Sequence, residues 1–276
     1  MAYRNLVDLH IHSDNSKDAE HSVTLICEKA VERGLRAIGI TDHCECLQYD
    51  EMNYAVTCRQ SAFETRKARA VFNGQLVISS GLELGCPVRN LKAVNDVKKN
   101  NFDFLLASCH QIKRRKRSLS HFDYRKAVNS PELIFKRYLD DIIETVEWNG
   151  FDVLAHLTYP LRYFPAEKMI DFDPLMFKDE FMYIFKTLAS NGKALEINTA
   201  GGIYVTATLQ GSTHPNLELL KMFREVGGEY ITVGSDAHSA YRVGNGIENA
   251  LDMAAEAGFK YVTIYQNGTP VPVTIE

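Results

Sequence analysis

Along the chain, short apolar runs rich in β-branched residues alternate with longer stretches whose apolar positions recur at helical spacing. The runs predict strands near residues 5–10, 36–41, 76–83, 103–108, 152–156, 194–198 and 230–235, with a further edge strand near 260–265. The stretches between them predict helices. In the first, Val23, Ile26, Cys27, Ala30 and Val31 recur at i, i+3, i+4, i+7 and i+8, and Gly34 follows as a stop. Equivalent patterns cover roughly 54–72, 90–100, 131–148, 173–190, 214–227 and 246–257, and Pro131 after Ser130 suits a first helical turn.

Seven or eight β-α units in series, with near-continuously apolar strands, predict a parallel sheet covered by helices. An open doubly wound sheet and a closed barrel both satisfy this pattern. No Gly-x-Gly-x-x-Gly or P-loop supports a nucleotide-binding open sheet. With no low-complexity linker, short repeat or break in composition, residues 1–276 are expected to form one domain. Two connections read as long loops, 42–53 after the second strand and 109–130 after the fourth. The second holds Lys113-Arg114-Arg115-Lys116-Arg117, which reads as a solvated loop or as a guide for an anionic substrate.

The polar residues fall in a pattern of their own. Val7-Asp8-Leu9-His10-Ile11-His12 ends in two histidines at i, i+2, which a strand points the same way. The next strand runs into Thr41-Asp42-His43, the third reaches Glu83, the fourth His110 and the fifth His156. The last runs into Gly234-Ser235-Asp236-Ala237-His238. Six of the nine histidines thus lie at strand ends, whereas His21, His121 and His214 lie elsewhere and read as surface residues. In an α/β barrel the C-terminal strand ends open onto one face, so these separated side chains converge on one pocket. Six imidazoles with Asp18, Glu83 and Asp236 exceed the needs of one ion and suit two or three sharing a bridging carboxylate. A mixed nitrogen and oxygen donor set favours zinc, manganese or iron over calcium or magnesium, and clustered ions suit phosphoester hydrolysis.

Composition narrows the rest. A net charge of −4, with 45% hydrophobic and 24% charged residues, is that of a globular chain without a global basic field for nucleic acid. No apolar stretch approaches the roughly 18 residues of a membrane span, and the N-terminal residues lack a signal-peptide core. The six cysteines form no C-x-x-C pair, and Cys44-Glu45-Cys46 beside His43 has no second pair to complete a zinc site. They read as free thiols of a cytoplasmic protein.

His10-x-His12, Thr41-Asp42-His43, the single His110 and His156, and Gly234-Ser235-Asp236-Ala237-His238 together resemble the four motifs of the PHP (polymerase and histidinol phosphatase) superfamily. The resemblance runs from Asp8 to about Gly246 and implies an α/β fold, a distorted (β/α)7 TIM-like barrel with a trinuclear metal centre at the strand C-termini. It implies that His10, His12, Glu83 and Asp236 hold one ion, that Asp18, His43 and His238 hold a second, and that Glu83, His110 and His156 hold a third. Asp18 stands where other members carry histidine, a departure that bears on metal preference. Length and local texture are most similar to the free-standing histidinol-phosphate phosphatases. That likeness implies hydrolysis of L-histidinol phosphate to L-histidinol and phosphate by a metal-bridging hydroxide, with no protein nucleophile.

The segment His156–Tyr163 is similar to one in which an arginine grips the substrate phosphate, making Arg162 the candidate here, with Arg242 a second. Glu196 and Asn198 share a strand face with the pocket and are read as substrate contacts, Glu196 equally as a group that orients a ligand histidine. The alternative is a phosphoesterase of the same superfamily acting on nucleotides, oligonucleotides or another small phosphate ester. A metal-stabilised module without activity should have lost several ligands, and an amidohydrolase-like barrel would want a strand-end lysine that is absent. The expected partner is a small phosphate ester, not membrane or nucleic acid, and a homodimer is compatible with the sequence.

Overall fold

The computed structural model describes residues 3–113, 118–126, 130–169, 171–200 and 216–276. Its strands are β1 Val7–Ile11, β2 Ala37–Ile40, β3 His43–Glu45, β4 Val77–Gly85, β5 Phe104–Ser108, β6 Val153–Leu154, β7 Ala194–Asn198, β8 Ile231–Gly234, β9 Tyr261–Gln266 and β10 Thr269–Thr274. The α-helices are α1 Val23–Glu32, α2 Tyr54–Val71, α3 Leu91–Val97, α4 Pro131–Trp148, α5 Ala166–Met169, α6 Lys178–Ser190, α7 Leu217–Glu225 and α8 Ile247–Glu256. The boundaries fall where the chemistry places them. Ser22 and Ser130 accept the Leu25 and Leu133 amides at the starts of α1 and α4, and Pro131 opens α4.

Seven strands pair in parallel in the order β1-β2-β4-β5-β6-β7-β8. The sheet curls until its edges meet. Just beyond β8, the Asp236 amide donates to the His10 carbonyl at 2.8 Å and the His12 amide donates to the Ala237 carbonyl at 2.9 Å. The result is a nearly closed parallel barrel wrapped by helices, the α/β architecture expected from the alternation. In β1, Ile11 packs outward with Val23 and Ile26 of α1, so by strand alternation Asp8 and His10 face inward.

Three expectations needed correction. The stretch 42–53 is not one long loop: His43–Glu45 forms β3, and Cys46–Gln48 forms a 3-10 turn. β4 is nine residues long; its first half pairs with β2 and its second half with β3, at His43↔Glu83 and Glu45↔Gly85. β2 and β3 are therefore one line broken at Asp42, whose carboxylate accepts from the Ser13 amide and the Ser13, Ser16 and Ser61 hydroxyls at 2.6–2.7 Å. β6 spans only Val153–Leu154, because the His156 amide donates to Glu196 (2.7 Å) instead of extending the ladder. The edge strand near 260–265 belongs to a separate antiparallel hairpin with β10, turned at Asn267-Gly268 with φ of 50° and 76°. Asn-Gly between alternating residues is a hairpin signal that could have located it.

That hairpin packs where the strands begin, the end away from the converging histidines. Tyr265 stacks on Phe104 with centroids 5.1 Å apart, its carbonyl accepts from Ser79, and the Asn267 amide donates to Asp103. All six cysteines are buried free thiols, as expected. Among the described residues, no helix is long and apolar enough to cross a membrane. Lys113 pairs with Glu144 on α4, and the rest of the basic run, 114–117, lies outside the described residues, as does His214.

Phe104 joins barrel and hairpin through its stack on Tyr265, and it is buried. Phe104→Ala is expected to destabilise the fold by about 3–5 kcal/mol and to lower Tm by roughly 10 °C. Thermal unfolding followed by circular dichroism measures it; an unchanged Tm would contradict the packing described.

Candidate metal centre

Each of the nine side chains expected to ligate metal reaches one open end of the barrel. His10 and His12 come from β1 and the turn after it, Asp18 from the following loop, His43 from β3 and Glu83 from β4. His110 and His156 follow β5 and β6, while Asp236 and His238 follow β8. Depth is graded: His10 and His12 are fully buried, Glu83 is 1% exposed, and His238 and Asp18 form the rim at 32% and 61%. Two bends aim the set, since His156 and Asp236 both take positive φ, 26° and 54°, which few non-glycine residues do.

Glu83 lies at the middle. Its oxygens are 3.6 Å from His10 Nε2, 3.8 Å from His12 Nε2, 2.7 Å from His43 Nδ1, 3.2 Å from His110 Nε2 and 2.9 Å from His156 Nε2. Asp236 is 3.7 Å from His10 Nε2 and 3.3 Å from His12 Nε2. Toward the rim, Asp18 is 3.6 Å from His43 Nε2 and 3.4 Å from His238 Nε2, and those two nitrogens are 3.4 Å apart. Donors around a tetrahedral zinc, at bonds of about 2.0–2.2 Å, stand about 3.3–3.6 Å from one another. Many of these separations fall close to that value and are too long for hydrogen bonds.

The donors also lack other partners. His10 Nε2, His12 Nε2, His43 Nδ1, Glu83 Oε2 and His156 Nδ1 are buried without a hydrogen bond; His43 Nδ1 and Glu83 Oε2 are close but misaligned. Buried polar atoms left unsatisfied are costly and rare, so this many in one place fit a cluster built to hold cations. The opposite ring nitrogens are engaged. His10 Nδ1 donates to Glu196 (2.6 Å), His110 Nδ1 to Glu45 (2.5 Å) and His238 Nδ1 to the Asp236 carbonyl (2.9 Å), which turns each Nε2 inward.

The charges are strongly coupled. Burial pushes the Glu83 carboxyl up, but His110, His43 and His10 together hold its pKa well below the usual range. Burial opposes charge on His43, yet Glu83 and Asp18 raise its pKa to about 10. His10 and His110 are likewise raised by facing carboxylates against burial, whereas burial beside His43 and His238 holds His12 neutral.

The other candidates divide. Arg162 lies on the 3-10 helix Tyr159–Tyr163, with one terminal nitrogen 3.6 Å from Asp236 Oδ2 and the other donating to Asn198 (3.3 Å). Its guanidinium stacks 4.7 Å from the Tyr159 ring centre, and its Nε is buried without a partner. Glu196 accepts from His10 Nδ1, the His156 amide and the Asn198 side-chain amide, contacts made within the protein. Arg242 is exposed on the turn Ala240–Arg242. His21, expected at the surface, is partly buried and accepts the Ala240 amide. Sequence reasoning missed Glu45 and Tyr159. Glu45 sits at i+2 from His43, a signal hidden by reading that stretch as a loop, and Tyr159 covers His156 and His110 at 4.8 and 5.2 Å.

A nearly closed parallel barrel carrying a histidine–carboxylate cluster at its strand ends defines a class, and the chain matches the PHP domain over residues 8–200. It belongs to that family. Curated relatives include a histidinol-phosphatase of Lactococcus lactis, 29% identical over 92% of this chain and 91% of its own length. A probable histidinol-phosphatase of Thermotoga maritima is 27% identical over 94% and 95%. Among solved structures, the histidinol phosphate phosphatase of Lactococcus lactis complexed with zinc, L-histidinol and phosphate superposes with a TM-score of 0.84 at 25% identity, covering 97% of this chain and 99% of that one.

Without a cation, His43 keeps its proton to a pH of about 10, so an ion entering at pH 7.5 must displace it. Zinc added to metal-free protein is expected to release protons. Calorimetry in buffers of different ionisation enthalpy measures the release, and heats independent of buffer would contradict the charge state described.

Proposed function

We propose that this chain is a metal-dependent phosphoric monoester hydrolase that converts L-histidinol phosphate to L-histidinol and phosphate. The observation that carries the reading is one buried carboxylate, Glu83, standing within 3.8 Å of five imidazoles. A carboxylate so surrounded suits a bridging ligand between ions. We assign three donor sets: His10, His12, Glu83 and Asp236; Asp18, His43 and His238; Glu83, His110 and His156. The compact groupings His10–His12–Glu83, His12–His43–His238, His10–His156–Asp236 and His43–Glu83–His110 show how closely the sets interlock. Two to three zinc, manganese or iron ions match those donors. The choice of ester rests on the relatives, named as histidinol-phosphatases along nearly their whole length, and on the zinc, L-histidinol and phosphate in the Lactococcus structure.

Bound divalent ions supply charge neutralisation at phosphoryl oxygens and activate water near neutral pH. The chain's own residues do the rest. Arg162 presents its fork beside Asp236, with the Tyr159 ring against it, at a place where it orients a phosphoryl group. Asn198 anchors that fork through its Oδ1 and reaches Glu196 through its Nδ2. Glu196 holds His10 in the tautomer that leaves Nε2 facing Glu83.

Phosphate release by metal-reconstituted protein, with histidinol phosphate beside nucleotides, oligonucleotides and sugar phosphates, tests the reading. It predicts a clear preference for histidinol phosphate, abolished in His43→Ala. Activity confined to other esters would overturn the substrate; no metal-dependent release from any ester would overturn the activity. Arg162→Met is expected to lower kcat/KM by about 100-fold with zinc content unchanged, and an unaltered kcat/KM would remove Arg162 from the site.

A further inference from the structure

The structure assigns Glu45 a role that depends on the metal reading above: we infer that it is a positioning residue that fixes His110 as a ligand, and that Gly85 is the vacancy that lets it do so. Glu45 is the last residue of β3, paired in register with Gly85 of β4. From there its carboxylate reaches His110 Nδ1 at 2.5 Å, and the opposite nitrogen, Nε2, faces Glu83 at 3.2 Å. A carboxylate that accepts from one ring nitrogen selects the tautomer, fixes the ring and strengthens the other nitrogen as a donor.

The space for this contact is made by a missing side chain. A Cβ at Gly85 would lie 2.2–2.6 Å from the Glu45 carboxylate, inside any allowed contact. The atoms in its way are the end of a flexible side chain, so alanine at this position would swing the carboxylate aside and leave the backbone in place. The other end of the cluster repeats the device: at Gly234 a Cβ would meet Glu196 Oε1 at 2.6 Å and His10 Cβ at 2.4 Å, where Glu196 orients His10. Two glutamates on the inner wall, each seated over a strand glycine, therefore hold a histidine on either side of Glu83.

The test reads zinc binding, not turnover. Zinc content after dialysis and affinity by competition with a chromogenic chelator are measured for the full chain and for Glu45→Ala, Glu45→Gln, Gly85→Ala, His110→Ala and the Glu45→Ala/His110→Ala pair. Glu45→Ala and Gly85→Ala are expected to weaken zinc binding about 10- to 100-fold. Glu45→Gln, whose amide oxygen still accepts from Nδ1, is expected to lose less. In the His110→Ala background, Glu45→Ala is expected to add nothing, because its effect passes through that ring. Wild-type affinity in both Glu45→Ala and Gly85→Ala, or an equal loss with and without His110, overturns the inference while the metal reading stands. A wild-type chain that takes up no zinc overturns both.

Discussion

One buried carboxylate sets the terms for this molecule. Glu83 is placed near the C-terminal end of the longest barrel strand, at a depth where an isolated charge would be strongly disfavoured. It stays ionised because imidazoles from four separate segments close around it, with His110, His43 and His10 holding its pKa down. None of those segments is near another in sequence, so only the closed barrel supplies the arrangement. The hydrogen bonds that join the end of β8 to β1 therefore do more than close a sheet. They bring Asp236 and His238 against His10 and His12.

Much of this was legible in the chain. The alternation of apolar runs with helical stretches predicts parallel strands and covering helices, and the recurrence of histidine at strand ends predicts a shared pocket whichever sheet closes it. Hydrophobic patterning is silent about what was missed. β3 carries one buried apolar residue, Cys44, between two polar ones, so no periodicity marks it; it exists because Asp42 ties down three serines and the line of β2 resumes beyond. β6 is short because a side chain, Glu196, captures the backbone amide of His156, a long-range contact no local rule predicts. Glu45 was hidden for the same reason as β3, since its parity with His43 has meaning only on a strand.

The barrel separates its tasks along its axis. At the end where strands begin, the Phe104–Tyr265 stack and the β9–β10 hairpin cover apolar surface. At the end where they finish, side chains are held by polar contacts whose inward atoms are left without partners. The second arrangement costs stability unless something fills it. The donor types, their spacing and the orienting glutamates behind them all point to cations. The arginine fork at the edge points to an anionic group beside them.

The most direct test of that account is a crystal of the zinc-loaded protein with phosphate, with anomalous differences collected at the zinc edge. The account predicts two or three peaks among His10, His12, Asp18, His43, Glu83, His110, His156, Asp236 and His238, with Glu83 touching more than one and phosphate on the Arg162 side. Zinc bound elsewhere, or an empty cluster in a crystal containing zinc, would contradict it.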